Sequence, residues 1–382
     1  MKIIIVSPAY PWRGGIAHHT AILADHLKAK HTVEIVTFYR QYPKLFFPGT
    51  SQSDIGGCPP AVPVRMWIDT INPFNWISVG LKIRRMEPDL LLFAYSLPFF
   101  GPCYGTISAL VRQTMKTRVM FICHNVVPHE RRIGDVLFTK FAFAFSDYFI
   151  VQSSIVRDDL LKFVPNAKYS IAPHPLYEMF GLPLLKQDAK KRLNIIAGRV
   201  LLHFGYVRPY KGLMVLIEAM KQIRDLEPKN GDPLLLVVGE FYEDVSRYRR
   251  KVKELNLESC IRIVESYVPT DQVATYFSAA DVVVLPYLSA TQSGIVQIAY
   301  NFNKPVIATN VGGLTEVVVE EKTGFLVPPN SPEALAEAVK RFYLERREEE
   351  FSTNVRIEKK KYSWENLVRQ IEELGQSSHR QF

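Results

Sequence analysis

The chain has 382 residues, of which 47% are hydrophobic, and it carries a formal net charge of +9. This length suffices for two domains that each have a core. The apolar run at the N-terminus covers only residues 3–6, which excludes a signal-peptide core and a membrane span there. The cysteines show no metal-type spacing. We therefore expect buried or incidental thiols in a cytoplasmic protein.

The positive charge is concentrated in the first half of the chain. Residues 1–180 contain 19 Lys and Arg against 12 Asp and Glu, whereas the remainder contains 28 against 26. Such an excess indicates either an anionic partner or merely a soluble surface. No recognition motif for nucleic acid accompanies the charge, so we expect no nucleic-acid partner. Peripheral contact with an anionic membrane, at the inner face of the cell membrane, stays open.

Short β-branched runs alternate with amphipathic stretches along the chain. The first series predicts strands at residues 2–7, 32–38, 89–95, 118–124, 147–152 and 168–172. The second series predicts strands at 200–205, 234–239, 260–264, 281–286, 305–309 and 324–327. Helical patterns between them include residues 15–28, 212–226, 270–279 and 332–345. Two such series indicate two doubly wound, Rossmann-like α/β domains with parallel sheets.

The boundary between the domains is expected after Pro175, where the chain becomes rich in proline and charge. We predict an N-terminal domain at residues 1–177, a C-terminal domain at 178–360 and a final helical segment at 361–382. Ser363 is the expected N-cap of the last helix, because a serine side chain satisfies the free N–H groups of a first turn.

Ligands of open parallel sheets bind outside the carboxyl ends of the strands, so the residues after each strand matter most. Gly14 and Gly15 follow the first strand and precede a helix, which favours an anion, although a plain strand–helix turn explains them equally. The pattern is not that of a dinucleotide site. His124 follows the fourth strand. It either hydrogen-bonds a sugar hydroxyl, carries a proton, or is a packed structural histidine.

The turn after residues 200–205 carries two cations. Arg208 and Lys211 lie between Gly205 and Gly212, just before a helix. Two cations beside helix N–H groups make a favourable site for a diphosphate. The alternative is a solvated basic loop, and the flanking glycines favour the binding site.

Small and amide-bearing residues follow the strand at 281–286. Thr291, Gln292, Ser293 and Gly294 precede or begin a helix, where free N–H groups can hold a phosphate without a metal. Gly312 and Gly313 lie in the turn after the strand at 305–309 and allow close approach of a ligand. Glu316 either accepts a hydrogen bond from a ligand hydroxyl or caps the next segment.

A family resemblance covers nearly the whole chain. It rests on "RGGIAHHTAILADHL", "HTVEIVT", "CHN", "FGYVRPYKG", "LLLVVGE", "AADVVVLPY", "KPVIATNVGGLTEVV" and "TGFLVPPNSPEALAEAV", which occur in this order. In these motifs the chain resembles the retaining family-4 glycosyltransferases of the GT-B fold. The resemblance implies two Rossmann-like domains that face each other across a cleft.

The resemblance also implies roles for individual residues. Arg208 and Lys211 match the pair that holds the donor diphosphate, His124 matches the histidine beside the donor sugar, and these three are the expected catalytic residues. Together with the residues argued above, the other residues expected to bind the donor are Gly14, Gly15, Gly205, Glu240, Thr291, Gln292, Ser293, Gly294 and Gln297. His18 and Asn125 are implied in acceptor binding. No cofactor or metal is expected, because no suitable D-x-D motif is present and the two cations can stabilise the leaving diphosphate.

The chain departs from the family at a pair of glutamates. The family usually has two of them on one helix, and the corresponding positions here are Ala290 and Ile298. Gln297 is one step away and is expected to take over the ribose contact, while Gln292 or Thr291 contacts the sugar. An amide hydrogen-bonds a hydroxyl but offers no charge to a developing oxocarbenium ion, a loss on the order of 3 kcal/mol.

We therefore predict a hexosyltransferase that moves a sugar from a nucleotide-diphosphate sugar to a hydroxyl acceptor, with retention. Aromatic and basic segments ("YPKLFFPGT", "INPFNWISVGLKIRRMEP" and "YSLPFFGPCYG") suggest a lipid-linked or growing cell-surface glycan as the acceptor. Two alternatives remain. One is a transferase-like partner subunit with weak or no catalysis, which the missing glutamates support. The other is a GT-B nucleotide-sugar epimerase, which would need acids or a set of histidines around the sugar that "ATQSGIVQIA" does not provide.

Overall fold

The computed structural model describes residues 1–42, 59–114, 116–128, 132–224 and 233–376. The chain divides into two compact units. Unit 1 comprises Met1–Pro175 together with the segment that begins at Ser363, and unit 2 comprises Leu176–Tyr362. All of "YPKLFFPGT" except its first residue, that is residues 43–50, and Cys58 lie outside the described residues.

The described part of unit 1 contains one sheet of seven parallel strands in the order β3-β2-β1-β4-β5-β6-β7. The strands are β1 (Lys2–Val6), β2 (Thr32–Arg40), β3 (Val64–Asp69), β4 (Leu90–Tyr95), β5 (Arg118–Cys123), β6 (Tyr148–Val151) and β7 (Tyr169–Ile171). The helices are α1 (Gly15–Leu27), α2 (Pro73–Arg85), α3 (Gly101–Arg112), α4 (Asp135–Phe143), α5 (Ser154–Phe163) and α14 (Trp364–Gln376).

Strand β3 was not predicted from the sequence. It lies at the edge of the sheet, beside β2, and exposes Arg65 and Met66. An edge strand with solvent-facing residues lacks the continuous apolar run by which the other strands of this sheet were found. The prediction of six strands in this half was therefore one short.

The sheet of unit 1 is covered on both faces. Successive side chains of β1 point to opposite sides, so Ile3 and Ile5 join one core and Ile4 and Val6 the other. The first core includes apolar residues of α1 and α14, and the second includes residues of α2, α3 and α4. Ser363 accepts a hydrogen bond from the backbone N–H of Asn366 at 3.3 Å, which confirms it as the cap of α14.

The described part of unit 2 contains a sheet of six parallel strands in the order β10-β9-β8-β11-β12-β13. The strands are β8 (Val200–Phe204), β9 (Leu234–Val238), β10 (Ile261–Val264), β11 (Val282–Leu285), β12 (Val306–Thr309) and β13 (Gly324–Val327). The helices are α6 (Lys186–Arg192), α7 (Leu213–Ile223), α8 (Ser246–Glu254), α9 (Thr270–Ala279), α10 (Gly294–Asn301), α11 (Leu314–Val317), α12 (Pro332–Leu344) and α13 (Glu348–Glu358).

Both units are doubly wound α/β folds, so the predicted Rossmann-like class is confirmed. All six predicted strands of the second half are present, with ends shifted by at most one residue. The predicted helix at residues 212–226 begins one residue later, at Leu213, because Gly212 is left-handed with a φ of 67°. The parallel strands place the turns after β8, β11 and β12 at one edge of the sheet.

Three of the four cysteines are described. Cys103, Cys123 and Cys260 are buried thiols, in agreement with the prediction of buried or incidental thiols. Burial raises the pKa of the Cys103 and Cys123 thiols well above the ordinary value, so both remain protonated at neutral pH. None of the helices in the described ranges has both the length and the apolar character needed to cross a bilayer.

Candidate functional site

The turn after β8 places a lysine in an unusual environment. Gly205 ends the strand with a φ of 102°, and a Cβ at this position would lie 3.2 Å from Lys211 Nζ and 3.0 Å from Ile295. Only glycine adopts this backbone conformation without strain and leaves room for the ammonium group. Lys211 is 8% exposed, and Arg208 beside it is half-buried. The two side chains that are predicted to bind the diphosphate thus lie together on one short turn.

The charge on Lys211 lacks a carboxylate partner among the residues that the structure describes. Within the ranges that the structure describes, neither Lys211 nor Arg208 forms an ion pair with Asp or Glu. Burial and then the nearby Arg208 lower the pKa of Lys211 to about 8. A buried cation without a counter-ion is costly, and an anionic ligand would remove that cost.

Aromatic rings pack against both cations. The Arg208 guanidinium lies over the Tyr242 ring at 4.8 Å, and Lys211 Nζ lies 5.5 Å from the centroid of Tyr287. Tyr206 stacks on Tyr242 with centroids 5.0 Å apart. These contacts restrict the two side chains without neutralising their charge, because a ring face attracts a cation but carries no net charge.

The helix α10 begins at the same edge of the sheet. Thr291, Gln292, Ser293 and Gly294 are half-buried, and Gly294 is the first residue of the helix, as predicted from the sequence. Ser293 occupies the N-cap position, yet its side chain makes no capping hydrogen bond. Its hydroxyl lies 3.4 Å from that of Tyr287. The first N–H groups of α10 are therefore not used by the Ser293 side chain, which suits an anion.

The turns after β11 and β12 are in close contact. Gly312 has a φ of 54°, and a Cβ there would lie 1.5 Å from the carbonyl oxygen of Ala290. Any larger residue would push this turn away from the residues that precede α10. Glu316 lies in the first turn of α11 and is exposed. The glycines thus set the position of the Thr291–Gly294 backbone in addition to leaving room for a ligand.

The two positions where the family has glutamates are apolar and buried here. Ala290 is 8% exposed and Ile298 is 6% exposed. Gln297, the predicted substitute, is 2% exposed, and its Oε1 has no hydrogen-bond partner among the described residues. Buried amide oxygens are nearly always paired in folded proteins, so this one is available to a ligand hydroxyl.

Glu240 follows β9 at the same edge of the sheet. Its backbone carbonyl accepts a hydrogen bond from Val207 N at 2.9 Å, and Tyr242 N in turn donates to Val207 O at 3.0 Å. Glu240 therefore ties the turn after β9 to the turn that carries Arg208 and Lys211. Its predicted contact with the donor itself stays a prediction.

Unit 1 contains the other group of predicted residues. Gly14 is the N-cap of α1, Gly15 is its first residue, and the backbone N–H of His18 donates to Gly14 O at 3.1 Å. His124 directly follows β5 and is 5% exposed. Asn125 is half-buried, and its Oδ1 has no partner within the described ranges. These residues surround the carboxyl ends of β1 and β5.

His124 belongs to a cluster that the sequence did not predict. His19 on α1 and His174 after β7 are also buried, and the rings of His19 and His124 meet edge to face with centroids 4.6 Å apart. Burial, and then His174, lower the pKa of His124 to about 3, so the ring is neutral near pH 7. It can hydrogen-bond a hydroxyl, but it is a poor carrier of a proton at that pH. In the sequence, the only local signs of this cluster were His19 in "AHHT" and His174 in "APHP".

A cavity of about 630 Å³ lies elsewhere in unit 2. It is lined in part by Lys186, Lys304 and Glu348, near the amino ends of β11 and β12. Lys304 donates to the backbone oxygen of Ala280 at 2.7 Å, and Lys186 pairs with Glu348 at 2.6 Å. These cations already have partners, which distinguishes this cavity from the turn that holds Lys211.

Two family models match the chain, one in each unit. "Glycosyltransferase Family 4" matches residues 13–176, and "Glycosyl transferases group 1" matches residues 198–345. A structure of Anabaena Alr3699/HepE in complex with UDP superimposes with a TM-score of 0.75 at 16% identity, over 98% of this chain and 99% of that one. The chain belongs to the GT-B glycosyltransferases. The predicted fold and the predicted enzyme class are thereby confirmed.

Curated relatives match shorter parts of this glycosyltransferase. The D-inositol 3-phosphate glycosyltransferase of Corynebacterium glutamicum is 32% identical over 40% of this chain and 37% of its own. The lipopolysaccharide 1,2-N-acetylglucosaminetransferase of Salmonella typhimurium is 27% identical over 59% of this chain and 60% of its own. The chain therefore spans less than two thirds of the length of these two relatives.

Proposed function

We propose that this GT-B protein transfers a hexose from a nucleoside diphosphate sugar to a hydroxyl group of a lipid-linked or growing cell-surface glycan. The transfer retains the anomeric configuration and needs no metal. The observation that carries the proposal is Lys211, a buried ammonium without a described carboxylate partner, next to Arg208 and the open start of α10. The UDP complex of HepE supports a nucleotide-sugar donor, and the similarity to the lipopolysaccharide transferase of Salmonella typhimurium supports a cell-surface glycan as the acceptor.

The donor diphosphate binds between the cations and the helix N-terminus. Lys211 and Arg208 neutralise its charge, and the N–H groups at Ser293 and Gly294 donate to its oxygens. Gln297 contributes Oε1 to a ribose hydroxyl. Fixed positive charge at the leaving group replaces the role that a divalent cation has in other transferases, because both lower the energy of the departing diphosphate.

The reaction forms a bond between the acceptor oxygen and the anomeric carbon, and it breaks the bond between that carbon and the phosphate oxygen. The acceptor proton passes to the leaving phosphate on the same face of the sugar, which gives retention. Neutral His124 hydrogen-bonds a hydroxyl of the donor sugar. Gln292 or Thr291 takes the place of the missing glutamate, so we expect modest turnover.

The acceptor side of the proposal rests on the surface of α2. Phe74, Ile77 and Leu81 are 84%, 44% and 37% exposed and follow one another at helical spacing. The last turn of α2 adds Lys82, Arg84 and Arg85. An exposed apolar stripe next to cations suits an anionic bilayer. The segment "YSLPFFGPCYG" does not contribute as predicted, because Phe100 and Tyr104 are buried in the core.

The transfer is tested by incubating the protein with UDP-, GDP- and ADP-sugars and following thermal stability, donor hydrolysis and transfer to lipid-linked acceptors. We expect one nucleotide to raise the melting temperature and its sugar to be transferred in the presence of EDTA, with retention seen by proton NMR of the product. Inversion, or a requirement for Mg²⁺ or Mn²⁺, would contradict that part of the proposal.

A partner subunit without catalysis is the second candidate, and the apolar Ala290 and Ile298 favour it. This candidate predicts that UDP or another nucleotide raises the melting temperature of the protein. It also predicts that no donor sugar is hydrolysed or transferred, whichever acceptor is present. Turnover that Lys211→Met removes would exclude this candidate, because contaminating enzymes do not depend on Lys211.

Membrane contact is tested by flotation with vesicles of phosphatidylcholine alone or with phosphatidylglycerol. We expect binding only to the anionic vesicles and a loss of about 10-fold or more in Phe74→Ser/Leu81→Ser, since each buried CH₂ contributes about 0.8 kcal/mol. The double variant Leu344→Ser/Ile357→Ser removes two exposed apolar side chains of unit 2, which are 58% and 63% exposed, and serves as the control. Equal loss in both variants would refute docking through α2.

A further inference from the structure

Three buried histidines lie together in unit 1. His19 belongs to α1, His124 follows β5, and His174 follows β7, and they are 1%, 5% and 6% exposed. One possible ligand nitrogen from each ring lies within 4.8 Å of the other two. No other group of three or more His, Cys, Asp or Glu side chains in the described part of the chain has this geometry. The chain brings these residues together from positions 155 apart (174 minus 19) in the sequence.

The hydrogen bonds of the cluster indicate which nitrogens carry lone pairs. His174 Nδ1 lies 2.8 Å from the carbonyl oxygen of Pro175, which can only accept, so Nδ1 carries the proton and Nε2 the lone pair. Metal-binding histidines commonly donate their second N–H to a backbone carbonyl in this way. His19 Nε2 lies 3.5 Å from the amide nitrogen of Gln152, at the limit for a hydrogen bond. The amide therefore marks this nitrogen as an acceptor but holds it weakly.

All three rings are buried, and an imidazole binds a metal through a nitrogen that carries no proton. Trp364 packs against His19 with ring centroids 4.9 Å apart and closes one side of the cluster. The three side chains are thus largely enclosed within unit 1.

We propose that His19, His124 and His174 bind one late first-row divalent cation, with Zn²⁺ as the ion of choice. Imidazole nitrogen is a preferred ligand of Zn²⁺ and its neighbours in the series, whereas Mg²⁺ and Ca²⁺ require oxygen ligands, which this cluster lacks. A solvent molecule completes a four-coordinate site, as in other sites with three histidines.

The rings need only a small movement to coordinate a metal. Tetrahedral bonds of about 2.05 Å separate the ligand nitrogens by about 3.4 Å. The widest pair of the cluster, at up to 4.8 Å, must therefore close by about 1.4 Å. Rotation of imidazole rings about their side-chain bonds can provide this distance while α1 and β5 stay in place.

The proposed site shares His124 with the proposed transferase. A metal on His124 takes the lone pair that would otherwise face a donor sugar, so Zn²⁺ should inhibit transfer. This consequence rests on the proposed function, whereas metal binding itself does not. Binding without inhibition would separate the two, and inhibition without binding at the histidines would refute the metal site.

The test uses the full chain without an affinity tag, treated with a chelator and then titrated with Zn²⁺ by calorimetry and with Co²⁺ by visible absorption. We expect one equivalent to bind and Co²⁺ to give the intense bands of four-coordinate geometry. His19→Gln and His174→Gln should each weaken Zn²⁺ binding by more than about 100-fold, beyond the effect of changes outside the ligand shell. His26→Gln is the matched control, because His26 lies on the same helix and stacks on the same Trp364 at 5.7 Å.

Absence of a saturating equivalent would overturn the metal site, and the three rings would then be a packed cluster only. Unchanged affinity in both ligand variants would also overturn it, because the ion would then bind elsewhere. Circular dichroism and thermal unfolding check that each variant is folded. Should both variants unfold, the Co²⁺ spectrum of the wild-type protein still decides, since weak six-coordinate bands would contradict a site of three histidines.

Discussion

The two edges of the sheet in unit 2 differ in how they accommodate buried charge. At the amino ends of the strands, Asp281 is 3% exposed in its side chain and pairs with Lys186, which also pairs with Glu348 at 2.6 Å. Asp281 Oδ2 further accepts from Val200 N at 2.7 Å and from Tyr343 Oη at 3.1 Å. At the carboxyl ends, Lys211 is 8% exposed and has no carboxylate partner among the described residues.

This difference separates groups that stabilise the fold from groups that await a ligand. At the amino edge the carboxylates of Asp281 and Glu348 compensate Lys186, and Lys304, which has no carboxylate partner among the described residues, donates to the backbone oxygen of Ala280. The carboxyl edge carries an uncompensated cation, an amide oxygen on Gln297 and a helix whose Ser293 does not cap it. Folding alone gains nothing from these features, so we attribute them to donor binding.

The largest effect is expected from removing the charge at either edge. Lys211→Met should weaken UDP binding by about 100-fold, because it removes a buried cation that pairs with the diphosphate, on the order of 3 kcal/mol. The same change should leave the melting temperature without ligand unchanged or higher, since a methionine is cheaper to bury. Calorimetry with UDP and thermal unfolding measure the two effects.

Lys186→Met is the matched variant at the opposite edge. Although burial lowers it, the carboxylates of Asp281 and Glu348 raise the pKa of Lys186 overall. Its loss should cost about 2 kcal/mol of unfolding free energy, because it leaves Asp281 buried without its ammonium partner. UDP affinity should stay within about 2-fold of the wild-type value. The comparison fails if both variants lose affinity and stability in the same proportion.

The pH dependence of donor binding should show the next largest effect. With a pKa of about 8, Lys211 is mostly charged at pH 7 and mostly neutral at pH 9. An ordinary lysine would remain charged over this range. UDP is mostly in its fully ionised form at both values, so its affinity should fall by about 10-fold as pH rises from 7 to 9. Lys211→Met should show a flat profile, and an equal slope in that variant would assign the titration to another group.

Gln297→Leu probes the unpaired amide oxygen. A buried oxygen without a partner stabilises the unbound protein little, so its removal should not lower the melting temperature. UDP binding should weaken by about 5-fold, on the order of one hydrogen bond. Uridine diphosphate and its 2′,3′-dideoxy analogue provide the control, because the variant should bind both alike. A preference for UDP that survives in Gln297→Leu would refute the ribose contact.

The sequence predicted the carboxyl edge of unit 2 better than the cluster in unit 1, for a physical reason. The segment from Gly205 to Gly212 is a single turn, so the spacing of its glycines and cations is visible locally. His19, His124 and His174 come from distant elements, and only the packing of the sheet brings them together. A local pattern can therefore predict a turn that binds phosphate, whereas a cluster built by topology requires the fold.

Burial explains the remaining differences. The lowered pKa of Lys211 depends on how Gly205 and Ile295 enclose it, which no spacing reveals. The aromatic segment at Phe100 and Tyr104 resembled a membrane surface in composition, but its rings face the core. The composition of a segment shows which residue types it contains, whereas the fold determines which of their side chains are exposed to solvent.

The smallest effect concerns two serines at helix N-termini of the same unit. Ser331 accepts a hydrogen bond from Ala334 N at 3.2 Å and caps α12, whereas Ser293 precedes α10 and makes no such bond. Ser331→Ala should therefore cost about 1 kcal/mol of unfolding free energy and leave UDP binding unchanged. Ser293→Ala should leave stability within about 0.3 kcal/mol and weaken UDP binding by about 3-fold, since only a hydroxyl contact with the donor is lost. Thermal unfolding measures the change in stability of both variants, and calorimetry measures their affinity for UDP. If Ser293→Ala lost as much stability as Ser331→Ala, Ser293 would be a cap that stabilises α10, and the N-terminus of α10 would not be open to a phosphate.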